Sequence, residues 1–196
     1  MKNIVIIGAG GIGREVAWII EEINEVNHTW NIIGFVDEDS EIWGKELNGY
    51  KVLGGLNILE KLESKPEVIV AIANCVVKKD IVARLNDKFD FATVIYPSVR
   101  VSKYIEIGQG TIIYPGVILT VNTKIGNHVL ISGNCGIGHD TVIGDFSSVL
   151  WGSYFSGFDV VGEECFIGVG TKVSQGVRVA DRRVISTGSI VIEDVL

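Results

Sequence analysis

The first half of the chain alternates short apolar runs with amphipathic segments. The run "NIVIIG" at 3–8 predicts a buried strand, and a helix follows at 10–24, where Val16, Ile19, Ile20 and Ile23 recur at helical spacing. The same pattern predicts further strands at 30–39, 67–74 and 90–96, and helices at 57–64 and 76–87. Strands and helices in alternation are typical of a parallel sheet covered on both faces. We therefore predict a small Rossmann-like α/β domain over residues 1–94, with room for about four strands.

From Ile95 onward the apolar positions recur every six residues, as in IGQGTI, IYPGVI, IGHDTV and IGVGTK, without a break to Leu196. The first position of each hexad is Ile, Val or Leu except at Phe155. The fifth position is Ser, Thr, Val or Cys except at Ile105, Asp159 and Arg183. A hexapeptide period predicts a parallel β-helix, in which each short strand points one aliphatic side chain into a narrow core. We assign residues 95–196 to this second domain.

Composition narrows the range of functions. The chain has 47% hydrophobic residues, 24 Gly and only 3 Pro, which favours a globular protein with many turns. A formal net charge of −7 argues against a surface for nucleic acid or anionic membrane. Three cysteines without a CxxC spacing fit a reducing compartment. No segment is long and apolar enough to cross a bilayer, so we expect a soluble, cytoplasmic protein.

The combination of "IVIIGAGGIGREVA", then "GFVDED", then the hexads resembles a known family. It is similar to the left-handed β-helix sugar acyltransferases related to bacillosamine N-acetyltransferase and sialic-acid O-acetyltransferase. The resemblance covers essentially the whole chain. It implies a coil of three hexads, about 18 residues. It also implies acyl transfer from acyl-CoA, most simply acetyl-CoA, and we expect N-acetylation of a nucleotide-linked amino sugar for cell-surface glycan synthesis. It also implies a homotrimer with acyl-CoA in the groove between adjacent β-helices.

The acceptor is expected at the glycine-rich turn. Gly8, Gly10 and Gly13 form GxGxxG between the first strand and the first helix, where backbone N–H groups and the helix N-terminus favour a phosphate. The motif alone leaves three interpretations open: a nucleotide-sugar site, an NAD site and a purely structural turn. By resemblance, the acceptor-binding residues are Gly10, Gly11, Ile12, Asp37 and Glu38. Asn74 and Lys78 follow the third strand and are further candidates, because ligands of such sheets bind at the carboxyl ends of the strands. Relatives often carry histidine at the position of Ile12.

His139 is the candidate general base. It is the third residue of its hexad, a position that points out of the β-helix core, and Asp140 follows it as a potential orienting carboxylate. By resemblance, the family places its base in this type of segment, here "GHDTVIGD". Adjacent residues of a strand face opposite sides, so Asp140 reaches the imidazole only where the backbone turns. The alternatives for the orienting acid are Asp145 and a residue of an adjacent subunit. Neither His28 nor His128 has an adjacent acid.

The remaining predictions concern acyl-CoA. Gly157 lies one coil of about 18 residues beyond His139, so its N–H is expected to be open to an oxyanion beside the imidazole. The predicted CoA-binding residues are Ser148, Gly157, Val169, Gly170, Lys172 and Thr187, with Arg178, Arg182 and Arg183 as nearby charges for the CoA phosphates. By resemblance, a second histidine is expected at the position of Ser148.

Alternative functions differ in class. O-acetylation of a sugar such as sialic acid uses the same chemistry on a hydroxyl. A non-catalytic β-helix scaffold is the second alternative, and the departures at Ile12 and Ser148 favour it. A γ-type carbonic anhydrase requires three zinc-binding histidines, whereas the repeat holds only His128 and His139, so no metal is expected.

Overall fold

The computed structural model describes residues 1–85 and 88–196. The first domain contains β1 (Lys2–Ile7), α1 (Gly11–Val26), β2 (Trp30–Val36), β3 (Glu46–Leu47), β4 (Tyr50–Gly54), β5 (Glu67–Val70) and α2 (Cys75–Leu85). Two 3-10 helices lie at Ser40–Ile42 and Leu56–Lys61. The sheet order is β3-β4-β2-β1-β5, parallel except for the antiparallel pair β3 and β4. Val16, Ala17, Ile19 and Ile20 of α1 are buried against it, as their spacing predicts.

Several predicted elements differ from this sheet. The predicted strand at 90–96 is not its last strand, because only Phe91 bridges to β5, whereas Val94–Ile95 pairs inside the β-helix. The fourth parallel strand is β4, which the periodicity missed. The segment 57–64 is predicted as an α-helix, but a 3-10 helix occupies Leu56–Lys61. The predicted helix at 76–87 begins at Cys75, and its last two residues lie outside the described ranges.

The second domain is the predicted β-helix, built from two-residue strands that each end on the first position of a hexad. They are β6 (Val94–Ile95), β7 (Glu106–Ile107), β8 (Ile112–Ile113), β9 (Ile118–Leu119), β10 (Lys124–Ile125), β11 (Leu130–Ile131), β12 (Gly136–Ile137), β13 (Val142–Ile143), β14 (Ser148–Val149), β15 (Tyr154–Phe155), β16 (Val160–Val161), β17 (Phe166–Ile167), β18 (Lys172–Val173), β19 (Arg178–Val179), β20 (Val184–Ile185) and β21 (Ile190–Val191). Each strand pairs in parallel with the strand 18 residues away, for example Gly136 with Tyr154. First-position residues such as Ile131, Ile143 and Val149 are fully buried.

The β-helix has three faces. We call the sheet β6-β8-β11-β14-β17-β20 the domain face, β9-β12-β15-β18-β21 the second face and β7-β10-β13-β16-β19 the third face. The α/β domain packs on the domain face, where Ile112, Tyr114 and Leu130 join the core around α1. Among the described residues, the helices are too short or too polar to cross a bilayer.

Candidate active site

His139 lies in the turn that leads from β12 on the second face to β13 on the third face. We call the turns 120–123, 138–141 and 156–159 the His139 corner. Asp140 has a left-handed backbone with φ of 56°, and this turn returns its side chain toward the imidazole. His139 Nδ1 lies 2.9 Å from Asp140 Oδ2. The imidazole is 43% exposed. An Nδ1–H that donates to Asp140 leaves Nε2 as the unprotonated, accessible nitrogen, which is the form a general base requires.

A third side chain extends this arrangement by one coil. Asn122 Nδ2 donates to Asp140 Oδ1 at 2.9 Å. The hydrogen bond from Asn122, and then that from His139, hold the pKa of Asp140 below its usual value. Asp140 therefore remains a carboxylate beside the imidazole. Asn122 was not among the predicted site residues, although its position 18 residues before Asp140 predicts that the two residues stack on successive coils.

The next coil packs against the imidazole. The Phe158 ring stands edge-on to it, with centroids 4.9 Å apart. Gly157 contacts it through bare backbone, because a Cβ added there would lie 2.9 Å from both Cε1 and Nε2. A side chain at this position would therefore overlap the imidazole, and glycine allows the backbone to pack closely against the ring.

The prediction that the Gly157 N–H is open is wrong. This N–H donates to Asp159 Oδ2 at 3.1 Å, and the Val177 N–H donates to Asp159 Oδ1 at 3.0 Å. Asp159 occupies a fifth hexad position, where a small residue is usual, and its side chain turns into the buried corner. Burial raises the pKa of Asp159, against the backbone hydrogen bonds that lower it. The exception at Asp159 was visible in the repeat, but its hydrogen bond to Gly157 was not.

Ser148 does not lie where acyl-CoA was expected. It is fully buried on β14 beneath the α/β domain, and its hydroxyl donates to the Ala73 carbonyl at 2.8 Å. The Lys78 ammonium of α2 donates to Ser148 Oγ at 3.0 Å and to the Ser147 carbonyl at 3.3 Å. Lys78 is only 2% exposed, and burial lowers its pKa to about 8. Ser148 and Lys78 therefore form hydrogen bonds between the two domains. Their side chains are buried and do not face an open site.

The other predicted CoA-binding residues are spread around the β-helix. Val169, Gly170 and Thr187 lie at the turns 150–153, 168–171 and 186–189 between the domain face and the second face, which we call the Trp151 corner. Lys172 lies on the second face and Arg178 on the third. Arg182 and Arg183 lie at the remaining corner, where Arg182 Nε is 3.4 Å from the Glu164 carboxylate. Successive hexads occupy successive faces, so nearness in sequence does not bring these side chains together.

At the glycine-rich turn the structure leaves open space above two glycines. A Cβ added to Gly10 or Gly11 would meet no atom within 4 Å, whereas one on Gly13 would overlap the Gly8 carbonyl. Gly13 is thus required for strand–helix packing, and the first turn of α1 is free for a ligand. Arg14, which the sequence analysis missed, is exposed in that turn with its Nε 3.4 Å from the Gly10 carbonyl. A cation in the first turn of this helix adds to its attraction for phosphate.

The acidic pair after β2 divides between two tasks. Asp37 accepts the N–H of Ala9 at 2.8 Å and of Asp39 at 3.0 Å, so it shapes the glycine turn. Glu38 accepts the Leu56 N–H at 3.0 Å and is 60% exposed, so much of its carboxylate faces solvent. Of these two acids, Glu38 is the more exposed.

Two further acceptor candidates lie close to this edge of the sheet. Ile12 is half-buried and packs with the core around α1. Asn74 caps α2, because its Oδ1 accepts the Val77 N–H at 3.0 Å. Asn74 also lines a cavity of about 300 Å³ between α2 and the Phe166 and Val184 side chains.

The described parts of the chain, 1–85 and 88–196, contain no cluster of three or more His, Cys, Asp or Glu side chains placed to hold a metal ion. His128 is buried between Phe91 and Phe146, and burial lowers its pKa to about 4. It therefore belongs to the packing between the domains and not to the His139 corner.

Comparison with known proteins agrees with both domains. Residues 3–85 match the PglD N-terminal domain family. The chain is 29% identical over 174 residues to GDP-perosamine N-acetyltransferase of Escherichia coli O157:H7, covering 88% of this chain and 78% of that protein. It is 32% identical over 116 residues to UDP-N-acetylbacillosamine N-acetyltransferase of Bacillus subtilis (strain 168), covering 57% of this chain and 50% of that protein.

The structure of PerB from Caulobacter crescentus, in complex with CoA and GDP-perosamine, is similar throughout. It has a TM-score of 0.90 and 25% identity, and the match covers 100% of this chain and 91% of that chain. The predicted fold, a Rossmann-like domain followed by a left-handed β-helix, is confirmed. Residues 3–85 thus match the PglD N-terminal domain, and the chain is similar to proteins named as nucleotide-sugar N-acetyltransferases of bacteria.

Proposed function

We propose that the protein transfers an acetyl group from acetyl-CoA to the amino group of a nucleotide-linked sugar. The observation that carries this proposal is the ordered chain Asn122–Asp140–His139, which leaves Nε2 accessible next to the bare backbone of Gly157. The relatives named for perosamine and bacillosamine N-acetylation, and the CoA and GDP-perosamine in the similar PerB structure, support the substrate classes.

In the proposed reaction the sugar amine attacks the thioester carbonyl carbon, and His139 Nε2 accepts the proton that the amine loses. Asp140 stabilises the resulting imidazolium through Nδ1–H. The C–S bond then breaks, the amide product forms and CoA leaves as its thiolate, which takes up a proton. The Gly157 N–H donates to Asp159, so we assign Gly157 the role of packing closely against the imidazole and not of donating to the oxyanion.

The acceptor is proposed to bind in front of the first turn of α1, with its phosphates near Gly10, Gly11 and Arg14 and a sugar hydroxyl near Glu38. This turn lies on the side of the Trp151 corner, because Glu15 of α1 accepts the Tyr114 hydroxyl at 3.0 Å and Tyr114 packs on Trp151. His139 lies across the second face from that corner. Acceptor and base are thus on opposite edges of one chain.

A homotrimer resolves this separation if the His139 corner of one chain meets the Trp151 corner of its neighbour. In that groove Val169, Gly170, Lys172 and Thr187 would contact acetyl-CoA. The second face supports the assembly, because it exposes Ile118, Tyr154 and Ile190 by 64%, 50% and 72%. Exposed aliphatic and aromatic side chains along one face are typical of a surface covered by another chain. We further propose a cytoplasmic location, which the three free cysteines support.

The function is tested with His139→Ala and acetyl-CoA, using GDP- and UDP-linked amino sugars as acceptors. CoA release, followed with a thiol-reactive chromophore, should fall by at least about 100-fold, since general-base catalysis contributes roughly 10²–10⁴-fold. His28→Ala, an exposed histidine on the other domain, should retain wild-type turnover.

Turnover of His139→Ala within a few-fold of wild type would refute the assignment of the base. The product distinguishes N- from O-acetylation, because hydroxylamine at alkaline pH cleaves an acetyl ester and leaves an acetamide intact. A wild-type protein that neither turns over nor gains thermal stability with acetyl-CoA would be a scaffold instead.

A further inference from the structure

Trp43 is held at the same edge of the sheet as the proposed acceptor site. Its indole Nε1 donates to the Asp37 carbonyl at 2.8 Å, at the end of β2. Its Cζ2 lies 3.3 Å from the position that a Cβ on Gly55 would occupy, directly after β4. The indole therefore spans the carboxyl ends of β2 and β4, yet the residue is 45% exposed. A tryptophan anchored by its N–H and left half-open presents an apolar ring surface to solvent.

The glycine turn, Glu38 and Trp43 at this edge of the sheet correspond to the phosphate, ribose and base of a nucleotide. In a sheet of this kind phosphates bind at the first helix N-terminus, and an acid at the end of the second strand binds the ribose. Here those positions are held by the Gly10–Gly11 turn with Arg14, and by Glu38. Trp43 and Glu38 are neighbours at the end of β4, because a Cβ on Gly55 would lie 3.3 Å from the indole Cζ2 and 3.5 Å from Glu38 Oε2. The ribose of a nucleotide also carries the base, so the group next to the ribose-binding acid is the one available to the base.

We propose that Trp43 is the stacking surface for the nucleobase of the nucleotide-sugar acceptor. The proposal rests on the proposed function, because it assumes that the acceptor carries a nucleotide. Every base has a π-face, so stacking on the indole supplies affinity without a hydrogen-bond code. The absence of a side chain at Gly55 lets the ring lie close to the backbone and fixes its orientation. Trp43 thus determines affinity for the carrier, while the glycine turn and Arg14 bind its phosphates.

The experiment measures nucleotide binding directly, by tryptophan fluorescence and calorimetry with GDP, UDP and inorganic pyrophosphate. GDP and UDP should quench the wild-type fluorescence, and pyrophosphate should compete for the site without quenching. Trp43→Ala should weaken GDP binding by about 10- to 100-fold, the range found when a base-stacking aromatic is removed. Trp43→Phe keeps an aromatic ring, so its loss should be only a few-fold, while the quenching disappears.

Trp18→Phe is the matched control. Trp18 is 39% exposed on α1, where it packs on Tyr96 with ring centroids 5.7 Å apart, so its replacement should leave both quenching and affinity unchanged. In turnover assays Trp43→Ala should raise the KM for the nucleotide sugar by the same factor. Its kcat at saturating acceptor and its KM for acetyl-CoA should remain within about twofold, because stacking on a remote base contributes uniform binding.

Unchanged GDP affinity in a folded Trp43→Ala, or unchanged quenching in Trp43→Phe, would overturn the proposal even where acetyl transfer is observed. Nucleotide binding that depends on Trp43 in a protein without acetyl transfer would refute the proposed function alone. A wild-type protein that binds neither GDP nor UDP would overturn the stacking proposal.

Discussion

The imidazole of His139 is constrained by residues from three successive coils. Asn122 fixes Asp140 from the coil before, Asp140 fixes Nδ1 within the same turn, and Gly157 and Phe158 contact the ring from the coil after. Since each coil repeats after 18 residues, these contacts are local in space although distant in sequence. The tautomer with a free Nε2 is thus set by the Asp140 carboxylate, which in turn depends on the amide of Asn122.

Removing the amide of Asn122 should slow acyl transfer without affecting the fold. Glycine is the appropriate replacement, because Asn122 has a φ of 58°, which glycine adopts without strain. We expect Asn122→Gly to lower kcat by about tenfold, since the Asp140 carboxylate loses one of the two side-chain hydrogen bonds that orient it beside the imidazole. The KM for each substrate should change little. Loss of the Asn122 donor also lets the pKa of Asp140 rise toward its ordinary value.

Asn134→Gly provides the control, because Asn134 has a φ of 57° at the same position of its hexad and lies in a different turn. It should match Asn122→Gly in thermal stability and retain full kcat. Equal kcat values for the two variants would remove Asn122 from the site.

The sequence could predict which way His139 points but not all of its contacts. The hexad register turns a third-position residue outward, and that follows from the repeat alone. The Asp140 contact depends on a left-handed turn, and several residue types adopt such turns in this chain, including Phe146 and Glu164. Whether the Gly157 N–H is free depends on the direction of the Asp159 side chain. The hexad pattern does not determine that direction.

At the scale of helices and strands, the predictions were accurate where the pattern of apolar residues was strong. The β-helix strands recur in unbroken register, so their positions were correct wherever a two-residue strand formed. The β3–β4 hairpin was not predicted because its strands are short and only half-buried, so their alternation of apolar and polar residues is weak. The segment 90–96 is strand-like in sequence, but its pairing partner is chosen by packing: β6 adds to β8 and starts the domain face.

The contact between α2 and β14 could not be predicted, since it joins residues 70 positions apart. Lys78 is the charged group of this contact. The unfolded chain holds the Lys78 proton up to the ordinary pKa of 10.5, whereas the folded protein releases it near pH 8. Between pH 8 and 10.5 the unfolded state therefore binds more protons, so the free energy of unfolding rises with pH in this window.

Lys78→Met should abolish that rise, because it replaces the buried ammonium by an apolar chain of similar length. Below pH 8 the variant avoids a burial cost of about 3 kcal/mol, the equivalent of the pKa difference, less the two lost hydrogen bonds. We expect it to be about 1–2 kcal/mol more stable than the wild type at pH 7 and no more stable at pH 10.5. Urea denaturation at pH 7, 9 and 10.5 measures the difference.

Lys79→Met is the comparison on the same helix. Lys79 Nζ is 2.6 Å from the Glu164 carboxylate and 41% of its side chain is exposed. Its removal leaves the buried Glu164 with a weaker partner, so Lys79→Met should be destabilised at pH 7 and should keep the wild-type rise between pH 8 and 10.5. The same pH dependence in Lys78→Met as in the wild type would contradict the assignment to Lys78.

At the scale of the whole molecule, the two domains place their chemistry on different sides of the β-helix. The α/β domain covers the domain face, and the His139 corner joins the other two faces. Successive hexads occupy successive faces, so the sequence already implies which faces the His139 corner joins. The sequence does not show which face the α/β domain covers, because that depends on the packing of side chains such as Tyr114 and Leu130. The separation of the two domains' chemistry therefore required the structure.

The arrangement predicts that two inactive variants restore each other when they share an oligomer. His139→Ala lacks the base, and Gly11→Trp fills the open space before α1 while it keeps the base. If each site combines the His139 corner of one chain with the acceptor domain of the next, a random equimolar trimer has both intact halves in about one quarter of its sites. Co-refolded or co-expressed protein should therefore recover about a quarter of wild-type turnover. A mixture of His139→Ala with the double variant His139→Ala/Gly11→Trp should recover none. If the first mixture forms mixed trimers by native mass spectrometry and stays inactive, the base and the acceptor domain of each site come from the same chain.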